Sequence, residues 1–138
     1  MRYLLDTNVF IAAMRGQSAV RERLSRTPLD EVVLSPVVLA ELLLGVEKSA
    51  HREANARRVA SVVHQLAMVA IDADTSSQYA LLRAALERQG RLIGANDLWI
   101  AAQCMALGLV LVTDNGSEFA RIDGLVTENW LRQDVPGS

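Results

Sequence analysis

Short apolar runs alternate with longer stretches of helical periodicity along the whole chain. The first run, Tyr3-Leu4-Leu5, is too short for a helix and stops abruptly at Asp6-Thr7-Asn8, after which apolar residues resume. That order reads as strand, carboxylate, helix. The same reading places further strands at 31–35, 68–71 and 109–112, with a last short one near 125–126. Between them lie predicted helices at 8–15, 19–26, 37–47 and 51–67, another ending at Gly90, and a last one ending at Gly108. Ser18 is a plausible N-cap for the second of these and Pro36 suits the first turn of the third. Thr75 with Gln78 has capping-box spacing, so Asp72 and Asp74 beside it are assigned to capping. Strands alternating with helices imply an α/β fold, a parallel sheet of about five short strands sandwiched by helices. No linker, repeat or low-complexity segment interrupts it, and residues 1–138 read as one domain.

This pattern concentrates acids at one edge of the sheet. Ligands of open α/β sheets bind outside the carboxyl ends of the strands. Asp6 closes the first strand there, and Thr113-Asp114-Asn115, followed by Glu118, closes the fourth. Glu41 lies on the third helix, where its neighbours three and four residues away are Val37, Val38, Leu44 and Gly45. Asp97 has the same setting, with Ile93, Gly94, Ile100 and Ala101 around it. A helix cap for Asp6 and a dipole-complementing charge for Asp97 are the plain alternatives. An acid on an apolar helix face with no cationic partner is, however, unfavourable unless something else satisfies it.

Composition narrows the class without choosing a partner. A chain of 138 residues that is 51% hydrophobic and 22% charged is ordinary for a globular domain. No apolar run reaches the roughly 18 residues that span a bilayer, and the first residues lack a signal-peptide layout, so a soluble, cytoplasmic protein is expected. Cys104 is the single cysteine, which excludes an internal disulfide and a cysteine zinc site; a buried place on a helix is expected for it. His51 and His64 have no ligand-spaced partner and read as surface residues. The net charge of −2 does not favour nucleic acid, yet Lys48 is the sole lysine, and arginine suits bidentate phosphate contacts. Arg15, Arg21, Arg23 and Arg26 crowd one region and are candidates for following an RNA backbone, as is Arg91.

Carboxylates converging without a cation repel one another and resist ionisation unless a metal neutralises them. Their hard oxygens suit Mg²⁺, with Mn²⁺ as a substitute. Such a metal stabilises charge on a phosphodiester and delivers a water in line with the scissile bond, leaving 5′-phosphate and 3′-hydroxyl ends. The Walker loop, the dinucleotide glycine motif and a serine nucleophile elbow are all missing. A phosphoacceptor receiver domain also places acids and Mg²⁺ at a parallel sheet's edge, but it needs a lysine there. A non-catalytic module that keeps the acids for stability is the remaining alternative.

The motifs in their order resemble the PIN-domain proteins, specifically the VapC-type toxin ribonucleases of bacterial type II toxin–antitoxin systems. The resemblance rests on Leu5-Asp6-Thr7-Asn8, Ser35 with Glu41 and Gly45, Ile93-Gly94-Ala95-Asn96-Asp97 with Ile100-Ala101, Val112-Thr113-Asp114-Asn115 with Glu118-Phe119, and Glu128-Asn129-Trp130. It implies that Asp6, Glu41 and Asp97 are metal-binding catalytic acids, with Thr7, Asn8, Ser35, Thr113 and Asn115 as supports. For the fourth acid, Asp114 is favoured as nearer the strand end, with Glu118 supporting. The resemblance further implies a homodimer and a VapB-type antitoxin that blocks the site, with the apolar helix around Leu42, Leu43 and Leu44 offering a groove. The run 89–94 and the chain's ending are similar to the subgroup that cleaves initiator tRNA in its anticodon region.

Overall fold

A computed structural model describes residues 1–132. Five parallel strands, β1 (Tyr3–Leu5), β2 (Val32–Leu34), β3 (Ala67–Met68), β4 (Val110–Val112) and β5 (Thr127–Glu128), form one sheet in the order β3-β2-β1-β4-β5. The helices are α1 (Thr7–Met14), α2 (Ser18–Ser25), α3 (Pro36–Lys48), α4 (Arg52–Gln65), α5 (Ala73–Arg88), α6 (Ala95–Leu107) and α7 (Gly116–Phe119). Strands β2 and β4 are buried along their whole length, as a parallel sheet covered on both faces requires. Leu4, Leu5, Val33, Leu34, Leu111 and Val112 pack from the sheet against Val9, Phe10, Val38, Leu98, Ile100 and Phe119.

The chain leaves β1 toward β2 on one side, while β4 pairs with β1 on the other, so the strand order reverses between β1 and β4. The crevice beyond the carboxyl ends of these two strands is where an open α/β sheet binds ligands. Receiver domains share the flavodoxin-like order 2-1-3-4-5. The order here differs, and Lys48 is exposed at the end of α3, so the receiver alternative does not hold.

Several local expectations shift. Gln17, not Ser18, caps α2, because its longer side chain reaches Val20 N at 2.8 Å. Asp72 caps α5 as expected, accepting from Thr75 N at 2.9 Å, whereas Asp74 and Thr75 fall inside the first turn, Thr75 buried. Strand β3 lies at 67–68 rather than 68–71. Val69 N still reaches Leu34 O at 2.9 Å, but the Val69 and Ala70 carbonyls turn to the side chain of Gln103. Strand β5 begins after 125–126, with Thr127 opposite Leu111 and Glu128 opposite Val112. The one-turn helix α7 was not anticipated. Cys104 is buried, and burial pushes its thiol up to about 12. His51 and His64 are exposed, and among the described residues no helix is long and apolar enough to cross a membrane.

Candidate active site

Asp6 is both the end of β1 and the cap of α1. Its backbone N–H donates to Val112 O of β4 at 2.9 Å, and its side chain accepts from Thr7 N at 2.8 Å. The other carboxylate oxygen accepts from Thr113 Oγ1, at the end of β4, at 2.9 Å. The carboxylate is thus fixed across the crevice by the two strands that flank it. Thr7 donates its hydroxyl to Glu41 Oε1 at 3.0 Å, drawing the acid of α3 to the same place. Ser35 caps α3 through Val37 N at 3.1 Å, and Pro36 supplies the first turn.

The opposite side is built by α6 and α7. Gly94 caps α6 without a side chain, which leaves Asp97 in the first turn free to face the crevice. Thr113 Oγ1 accepts from Asn115 N at 3.0 Å, and this turn starts α7. Glu118, on α7, accepts from the Asn115 amide and from Gly94 N at 3.3 Å. It thereby comes within hydrogen-bonding reach of the Asp97 carboxyl.

The electrostatics follow from this crowding. Partial burial pushes Asp97 up to about 7; hydrogen bonding to Glu118, and the charges of Glu118, Asp6 and Glu41, push the same way. Burial also raises Asp6, helped by the charges of Asp114 and Glu118 and opposed by the Thr113 and Thr7 donors. Among the described residues the ion pairs are Arg23–Glu128, Arg26–Glu22, Arg52–Glu47 and Arg83–Glu87, none of which involves these acids. Protein cations therefore do not balance the site.

A divalent cation fits this donor set. The groups are carboxylates with hydroxyl and amide supports, and the raised acids mark charge left uncompensated. Among the described residues, no three Asp, Glu, His or Cys side chains close on one point as a finished cage. Mg²⁺ commonly keeps several waters and takes only one or two carboxylates directly, so a looser acidic cluster suits it.

Comparison with known proteins agrees with this architecture. The PIN domain profile matches residues 3–125. The chain belongs to the PIN-domain family. Within it, the chain is 37% identical to the tRNA(fMet)-specific endonuclease VapC of Shigella flexneri, across 94% of this chain and 98% of that one. The VapBC2 structure from Rickettsia felis, bound to a promoter DNA fragment, superposes with a TM-score of 0.86 at 35% identity, covering 94% of this chain and 99% of that one. VapBC-1 from nontypeable Haemophilus influenzae gives 0.87 at 34%, covering 96% and 100%.

This PIN domain brings some of the expected residues together and separates others. Asp6, Glu41, Thr7, Thr113, Asn115 and Glu118 form one hydrogen-bonded network, with Asp97 close enough for Glu118 to raise its carboxyl. Asp114 is exposed, acting on Asp6 only as a nearby charge, because α7 starts beyond it and turns Glu118 inward instead. Asn8 is exposed on α1. The arginines do not form one patch. Arg15 shares a cleft of about 360 Å³ with Glu41, whereas Arg23 and Arg26 line a different one beside Trp130. Arg21 lies in a third, more apolar cleft with Phe10 and Leu24. Arg91 is exposed in the loop before α6, its carbonyl accepting from Arg121 at 3.5 Å. Gln103, fully buried on α6, was not singled out by sequence. Its neighbours three and four residues away, Trp99, Ile100, Ala106 and Leu107, are apolar, the same signal that marks Glu41 and Asp97.

Proposed function

We propose that this PIN domain is the toxin of a type II toxin–antitoxin pair, an Mg²⁺-dependent endoribonuclease acting on tRNA. The observation that carries the reading is the convergence of Asp6, Glu41, Asp97 and Glu118 with no ion pair to any of them among the described residues. Mn²⁺ is the expected substitute, since the donors are hard oxygens and both histidines lie out on the surface. When bound, the cation neutralises charge on the phosphodiester and activates a water for attack.

The residues divide the remaining work. Thr113 and Thr7 N hold both oxygens of Asp6, so the carboxylate presents a fixed direction to the crevice. Thr7 Oγ1 sets Glu41 against it. Asp97, beside Glu118 and pushed up to about 7, would lose its proton on meeting a bound cation. Arg15, in the cleft that Glu41 also lines, is the arginine best placed to meet a phosphate on the approaching RNA. We assign the fourth acid to Glu118, with Asp114 at the rim.

The VapBC relatives support a VapB-type antitoxin as partner, and the Shigella relative supports initiator tRNA as substrate. Leu43 and Leu44 are exposed on α3, available to an antitoxin or to the second copy of a homodimer, while Leu42 belongs to the core. The test is incubation of the purified chain with cellular RNA in Mg²⁺ or in EDTA, with mapping of the new ends. Cuts leaving 5′-phosphate and 3′-hydroxyl, made only with Mg²⁺ and absent in Asp97→Asn, are expected. Full cleavage in excess EDTA would refute the reading.

A further inference from the structure

We infer that Gln103 is a positioning residue of this site, holding the helix that carries Glu41 in register with the helix that carries Asp97. Gln103 is completely buried, far from the crevice-facing turn of α6, and every polar group it has is used. Its carbonyl accepts from Ser35 Oγ; its amide donates to Val69 O at 3.0 Å and Ala70 O at 3.5 Å. Only this orientation of the amide satisfies a hydroxyl on one side and two carbonyls on the other.

What the amide joins gives it its role. Ser35 is also fully buried, follows the last residue of β2 and caps α3 through Val37 N. Val69 is tied back to the end of β2 by its own N–H to Leu34 O at 2.9 Å. One side chain on α6 therefore fixes the start of α3, the end of β2 and the end of β3 together. Helices packed only by apolar contact can slide by a fraction of a turn at little loss, whereas a fully satisfied buried amide permits one register. The acids that depend on this register are Glu41 and Asp97, which reach the crevice from the two helices so joined. Ligand geometry held through such supports governs metal affinity as well as catalysis.

The inference rests on the metal reading above, and the test separates the two. Gln103→Met keeps the volume and removes the amide; Val20→Ala, in the buried face of α2, is the control for stability alone. Mn²⁺ binding to the metal-free proteins is measured by electron paramagnetic resonance, alongside melting temperature and steady-state RNA cleavage. Gln103→Met, still folded, is expected to bind Mn²⁺ roughly tenfold more weakly. It should lose kcat while keeping KM for RNA, whereas Val20→Ala melts lower with unchanged Mn²⁺ affinity. If Gln103→Met does not fold, Gln103→Leu takes its place with the same expected loss, because it too removes the amide and leaves the Ser35 cap of α3 in place. Unchanged Mn²⁺ affinity in the folded variant, with only a lower melting temperature, would overturn the inference alone. A wild-type protein that binds no Mn²⁺ would overturn the metal reading and this inference with it.

Discussion

The two sides of the acidic crevice are stabilised in opposite ways. On the β1 side, Asp6 accepts from Thr7 N and Thr113 Oγ1, which oppose the rise that burial causes, and Glu41 accepts from Thr7 Oγ1. On the α6 side, partial burial pushes the Asp97 carboxyl up to about 7, and a second acid, Glu118, stands beside it in place of a donor. One half is held by donors; in the other, Asp97 would keep a proton near neutral pH that a bound cation would displace. Cation binding would then be coupled to proton release, with Asp97 the group that gives up the proton.

Removing the charge from the second half should have the largest effect. Asp97→Asn is expected to lower RNA cleavage by roughly 100-fold or more, beyond the ~10–100-fold typical of supporting groups. Its melting temperature in EDTA should equal or exceed that of the wild type, because a buried repulsive charge is gone. A variant that melts markedly lower in EDTA would favour the reading in which the acids serve stability alone. Glu118→Gln comes next, with about a tenfold loss in cation affinity. It should also lower the Asp97 titration seen by NMR, since it removes a nearby negative charge. Asp114→Asn should change activity only a few-fold; a loss as large as that of Glu118→Gln would reverse their assignment.

The first half is probed through its donors. Thr113→Val keeps the shape but leaves one Asp6 oxygen and the Asn115 N–H without their partner. A loss of ~1–3 kcal/mol is expected in chemical denaturation. Thr7→Val should cost less, about 1 kcal/mol, because Glu41 is only partly buried and can recover a water.

Stability against pH probes the second half from another side. The folded protein holds the Asp97 proton up to about 7, whereas the unfolded chain releases it near 3.8. Between those values the native state binds more protons, so metal-free stability falls as pH rises through this window and levels off above it. Asp6, also raised, acts in the same direction. Thermal melts in EDTA from pH 4 to 8 should show the decline in the wild type and a shallower one in Asp97→Asn.

Much of this arrangement was legible in the residue pattern. Asp6 stands where an apolar run stops, and Glu41 and Asp97 each interrupt an apolar helix face; placing acids there is sensible only if the fold collects them. The division between Asp114 and Glu118 was not legible, because it depends on the single turn α7, too short to leave a periodic signal. The ends of β3 and β5 shifted for a related reason. Both are two-residue edge strands whose limits are set by tertiary partners, Gln103 for one and β4 for the other. The arginine cluster dispersed because nearness in sequence along α1 and α2 says nothing about which cleft each side chain enters.

Calorimetric titration of the purified chain with Mn²⁺, in buffers of different ionisation enthalpy, tests the coupled acidic site most directly. Release of about one proton per bound ion is expected at pH 6, falling toward none at pH 8, with little at either pH in Asp97→Asn and less than wild type in Glu118→Gln. Binding with no proton release at pH 6, or no binding at all, would contradict it.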